Sequence, residues 1–266
     1  MNDPLPLAVA DMLALAFFLL VWIAYAFAVE GKMFGRVSLT QAMNGQREVW
    51  MQTMARRDLR MIDTGIMAGL QQGTAFFASS TLIALGGCFA LLGASDRVLT
   101  VLSDLPHFSP PARGVVELKT VGLIILFAYA FFKFGWSYRL FNYCSILIGA
   151  VPIIRDEPGH AAETEVAVQR AARMNVLGGK HFNAGLRGVF FSIAYLGWFI
   201  GPEVLVLTTL LLIVVLGRRQ FFSAARQAVM DPQPLFRRGQ ERVDAAGEPV
   251  AEETDPLTDR HGGGLQ

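Results

Sequence analysis

Polar and apolar positions along this chain fall into long blocks. Apolar runs cover about 12–29, 74–92, 121–141 and 182–216. A helix rising about 1.5 Å per residue needs roughly 20 apolar residues to cross a hydrocarbon core of about 30 Å, so each of the first three suits one crossing. The last run is too long for a single crossing and is interrupted by Gly201-Pro202-Glu203. Folded there, it yields two spans, 182–200 and 202–216, in a tight hairpin. Pro202 suits the first turn of the second helix, and Glu203 complements its N-terminus. The pattern predicts an all-α fold, a polytopic integral membrane bundle of five transmembrane helices.

The segments between spans carry helical signals of their own. Ser38-Leu39-Thr40-Gln41 has the spacing of a capping box, which starts a helix. The predicted helix runs from Ser38 to Ile62 with Val49, Trp50, Met54, Leu59, Met61 and Ile62 on one broad side and Arg47, Arg56, Arg57 and Arg60 elsewhere. It is amphipathic, and it lies either on the inner leaflet or against the cytoplasmic mouth of the bundle. Ala161 to Val176 is a second amphipathic candidate. Residues 1–230 read as one transmembrane domain. From Asp231 onward, prolines, acids and Gly262-Gly263-Gly264 predict a disordered cytoplasmic tail over 231–266.

Charge orients the spans, because Lys and Arg near span ends are retained on the cytoplasmic side. Lys32, Arg36, Arg47, Arg56, Arg57 and Arg60 follow the first span, Arg155, Arg170, Arg173 and Lys180 follow the third, and Arg218, Arg219 and Arg226 follow the fifth. The loop after the second span carries Arg97 and Arg113. Five spans with the N-terminus outside and the C-terminus inside satisfy this distribution; one long last helix would strand Arg218 and Arg219 outside. The first eleven residues hold acids but no Lys or Arg, which predicts a retained helix rather than a cleaved signal.

Composition agrees, with 53% hydrophobic residues, 11% aromatics and a mean hydropathy of +0.42. A net charge of +1 gives no basic excess and argues against nucleic acid as a partner. Cys88 and Cys144 both lie in apolar segments, as small buried hydrophobes do. No phosphate-binding loop, nucleophile elbow or metal-ligand spacing is present, so no catalytic residue, metal or cofactor is expected.

A few polar groups stand out against this background. Lys133 lies well inside the third span, where an unpaired charge costs at least about 2.5 kcal/mol. It either faces a cavity or carboxylate, or snorkels toward the headgroups. Arg139 sits nearer the inner boundary as an anchor. His181, Asn183 and Arg187 stand at the cytoplasmic start of the fourth span and, with Asn142 and Arg139, compose a polar collar or simply cap and anchor the helix ends. Asp63 precedes Gly65, Gly69 and Gly73, whose spacing makes a ridge suited to tight helix packing. Gln71, Gln72, Thr74, Ser79, Ser80 and Thr81 follow on the same helix, where some must face protein or water.

Four motifs together carry a resemblance: Asn44-Gly45-Gln46-Arg47-Glu48-Val49-Trp50, Arg57-Asp58-Leu59-Arg60-Met61-Ile62-Asp63, Lys133-Phe134-Gly135-Trp136-Ser137-Tyr138-Arg139 with Asn142, and Trp198-Phe199-Ile200-Gly201-Pro202. From the first span to about Phe222 the chain resembles domain-of-unknown-function family 599, multi-pass membrane proteins of bacteria and plants. The resemblance implies a bacterial inner-membrane protein and brings no activity with it. The residues themselves suggest a small-solute carrier or channel component with a basic, amide-rich inner vestibule suited to an anion. The rival is a scaffold or assembly factor that meets a second copy or another membrane protein through the glycine ridge.

Overall fold

The computed structural model describes residues 7–31, 36–103, 112–153 and 161–230. Among them there is no strand. The helices are α1 (Val9–Glu30), α2 (Leu39–Ala55), α3 (Met61–Gly93), α4 (Ser95–Ser103), α5 (Arg113–Ala150), α6 (Ala161–Tyr195), α7 (Pro202–Phe221) and α8 (Ala224–Met230), with a 3-10 turn, Leu196–Phe199, between α6 and α7. The expected disordered tail, 231–266, lies outside the described residues.

Four helices are long and apolar enough to cross a membrane: α1, α3, α5 and the one that begins at Pro202. The chain is a membrane protein. α6 falls short of that criterion because its first half carries Glu163, Glu165, Arg170, Arg173 and Lys180, leaving its apolar stretch to begin near Phe182. At 33 and 38 residues, α3 and α5 are about 50 and 57 Å long, well beyond a hydrocarbon core of about 30 Å. Their extra length helps build a second core. One core joins Phe18 and Tyr25 of α1 to Leu123, Phe191, Trp198 and Leu205. The other joins Met51 and Met54 of α2 to Met67, Phe141, Ile148 and Val168.

α5 and α6 form the central pair. A Cβ at Gly178 would stand 2.7 Å from the Phe141 ring, and one at Gly185 2.7 Å from the Phe134 ring, so each glycine is a slot for a buried phenyl group. The two glycines and the two phenylalanines share a spacing of seven residues, which keeps both contacts on one seam. Ser137 donates to the Gly178 carbonyl at 2.7 Å on the same seam. Around Gly65, Gly69 and Gly73, by contrast, nothing in the described residues lies within 4 Å of where a Cβ would be. On that helix the hydroxyls of Thr74, Ser80 and Thr81 donate to carbonyls one turn back, which satisfies them without a neighbouring helix.

The capping box is present, with Ser38 and Gln41 exchanging backbone and side-chain bonds. The same side chains also close α1: Ser38 Oγ donates to the Val29 carbonyl and Gln41 Nε2 to that of Glu30, both at 2.9 Å. The expected helix from Ser38 to Ile62 is corrected here, because α2 stops at Ala55 and Met61 begins α3. The turn is held from both sides. Asp63 accepts from Trp50 Nε1 and Arg57 Nη1, each at 2.7 Å, and Arg60 donates to the carbonyls of Ile148, Val151 and Pro152 at the end of α5. The buried side of α2, Met51 and Met54, packs on α6, while Val49, Leu59, Met61 and Ile62 stay exposed.

At the other end of the bundle the chain breaks between α6 and α7. In an unbroken helix the Trp198 carbonyl would accept from residue 202, but Pro202 has no N–H. Lys119 Nζ donates to that carbonyl instead, at 2.7 Å, and lies 3.4 Å from Asp11 Oδ1, which also accepts from Trp198 Nε1 at 2.6 Å.

Candidate functional site

A cavity of about 580 Å³ lies among α1, α2, α3, α5, α6 and α7, within the size range of ligand pockets, about 300–1,000 Å³. Its apolar wall includes Leu70 and Phe77 of α3, Leu186 and Phe190 of α6 and Leu216 of α7. Tyr25, Thr40, Asn44, Asn183 and Gln220 bring hydroxyl and amide groups, and Arg47, Arg187 and Arg219 bring three positive charges. Among the described residues no carboxylate lines it.

Each arginine reaches the cavity from a different helix. Arg47, on α2, donates from Nη1 to Asn175 Oδ1 and lies over the Phe141 ring. Asn175 in turn donates to Met67 Sδ, so a fully buried amide fixes the guanidinium's direction. Burial pushes the pKa of Arg47 down from its ordinary value, because its charged form has lost water without gaining a carboxylate. Arg187, on α6, donates to Glu30 Oε1 at 2.9 Å and is thereby partly neutralised. Arg219, in the last turn of α7, has no ion-pair partner among the described residues. The roof over these groups is the start of α2, which Gln220 Nε2 joins at Thr40 Oγ1 and Arg226 Nε joins at the Val37 carbonyl.

Of the residues the sequence singles out, Asn183 and Arg187 line this cavity, as do Gly69, Gly73 and Thr74 of α3. The others do not. Lys133 is half-buried with its ammonium 5.3 Å above the Tyr129 ring, and His181 lies edge-on to Trp136. Arg139 is exposed and donates to the Tyr143 hydroxyl at 2.6 Å, while Asn142 is half-buried outside the lining. Asp63 is enclosed in the α2–α3 turn, and Gly65 is one turn beyond the cavity wall. Sequence reasoning misses Tyr25, Asn44 and Gln220 and treats Arg47 and Arg219 as topology charges. The signal was available for Arg47, since a capping box anchored to α1 turns one polar side of α2 inward. A smaller groove between α2 and α6 sets Glu48 and Glu165 beside Arg173, so it lacks the cationic excess of the larger cavity.

Long apolar helices around a cationic pocket define the class: an all-helical membrane protein with an internal polar site. Residues 13–225 match the model of the family described as protein of unknown function, DUF599, and the chain belongs to that family. No curated protein and no solved structure matches it.

Proposed function

We propose that this protein binds an anion in the arginine-lined cavity and serves as a carrier or channel component of the bacterial inner membrane. The observation that carries this reading is the lining itself: three arginines and three amides, with no carboxylate among the described residues that form it. Guanidinium groups match phosphate and carboxylate oxygens in geometry, and an apolar wall strengthens the attraction by excluding water. In this reading the apolar second half of α6, with the 3-10 turn, makes a further crossing, turning into α7 at Gly201-Pro202. There are then five spans, with the cavity at the cytoplasmic side. The scaffold reading keeps one observation in its favour, the unfilled groove at Gly65, Gly69 and Gly73.

The test is the thermal unfolding midpoint of the protein purified in an uncharged detergent, at constant ionic strength. Glycerol phosphate or dodecyl phosphate should raise it, and dodecyltrimethylammonium should not. The rise should vanish in the Arg187→Gln/Arg219→Gln double variant. If neither anion raises the midpoint, or the double variant responds like the parent, the cavity is not an anion site and the scaffold reading takes precedence.

A further inference from the structure

Two walls of the cavity, α3 and α7, belong to helices that do not pack closely on one another. α3 packs along α5 and α4, whereas α7 packs along α1, α2 and the end of α6. Between them the α3 side is bare at Gly69 and Gly73, which have open space where a side chain would be. The outward faces of the same helices are exposed hydrocarbon: Ile66, Phe76 and Ile83 on α3, and Leu207, Leu211 and Val214 on α7. Such faces meet acyl chains, so a gap between them opens toward the bilayer rather than toward water. Arg219 follows the apolar stretch of α7 directly, at the depth where headgroups begin.

Resting on the reading of the cavity as an anion site, we propose that its ligand is an anionic phospholipid admitted sideways between α3 and α7. Its phosphate meets Arg219 and Arg47, and an acyl chain lies along Phe77, Phe190 and Leu216. Each part of the lining then has a counterpart. A soluble anion would use the arginines and the water-excluding wall but leave the glycine gap without a role, and it has no chain to fill the length of that wall. Basic pockets between spanning helices on the cytoplasmic side are a recurrent way to hold acidic headgroups.

The experiment reconstitutes the full chain in nanodiscs of phosphatidylcholine with a minority of phosphatidylglycerol. Native mass spectrometry after detergent release then reads the lipid that stays bound. Phosphatidylglycerol should be retained well above its share in the bilayer, and Arg47→Gln/Arg219→Gln should cut that retention roughly tenfold, as the loss of charge-assisted contacts predicts. Gly73→Leu places a side chain in open space, so the fold should survive while access narrows. It should lower phosphatidylglycerol retention and spare any midpoint rise with glycerol phosphate. If phosphatidylglycerol is not enriched but glycerol phosphate still raises the midpoint, the site takes a soluble anion and only the lipid proposal fails. If neither binds, the anion site itself fails. Enrichment that Gly73→Leu leaves unchanged would overturn the sideways route.

Discussion

Lys119 is almost fully buried, and every group around its ammonium is spoken for by the break beside it. An unbonded carbonyl in hydrocarbon costs several kcal/mol, and so does an unpaired cation. Placed together with Asp11, each removes the other's penalty. Lys119→Met leaves the Trp198 carbonyl and the Asp11 carboxylate without their shared donor, and should cost about 3 kcal/mol, as expected when one partner of a buried pair is removed. Unfolding in mixed detergent micelles would measure it. Adding Asp11→Asn should recover part of the loss; strictly additive effects would mean that the two groups act independently. Lys133→Met is a useful contrast, because that ammonium lies over the Tyr129 ring and has no carboxylate partner among the described residues, and its cost should be smaller.

Between elements, the same residue type plays opposite parts on α3 and α6. Gly185→Leu must push the Phe134 ring out of its slot and should destabilise the α5–α6 pair by about 2 kcal/mol or more, the scale of overpacking a full core. Gly65→Ala meets no atom and should be near neutral, provided that no second chain occupies the ridge. Comparing the yield of folded protein from membranes for the two variants checks both statements, and a damaging Gly65→Ala would be direct support for a partner on α3. The positions of the apolar stretches and the capping box were legible because both are local signals, written within one helix or one turn. The expected helix Ala161 to Val176 and the span from 182 instead join as one helix, α6; the ring of Phe141, on another helix, fills the Gly178 slot between them and the helix runs through. The cavity was the least legible part, since Arg47 meets Asn175 across 128 residues and Arg187 meets Glu30 across 157. No periodicity encodes such pairings.

For the molecule as a whole, the charge distribution and the break at Gly201-Pro202 underlie the proposed topology of five crossings, N-terminus outside and C-terminus inside. Reporter fusions after Met1, Asp104, Gly159 and Gln227 should therefore read outside, outside, inside and inside. A C-terminal fusion active outside would remove the fifth crossing and place Arg219 on the wrong face for an inner-leaflet site. The tie among Asp11, Lys119 and Trp198 bears on how such a chain comes into being. Synthesis delivers its three members in order: a carboxylate at the beginning, an ammonium near the middle, and the carbonyl and indole only after most of the protein has been made. Until then, two opposite charges wait in the nascent bundle with part of their bonding unmet. The join therefore works as a clasp that fastens only once Trp198 has been made, and a copy truncated before it would leave Asp11 and Lys119 without their third member.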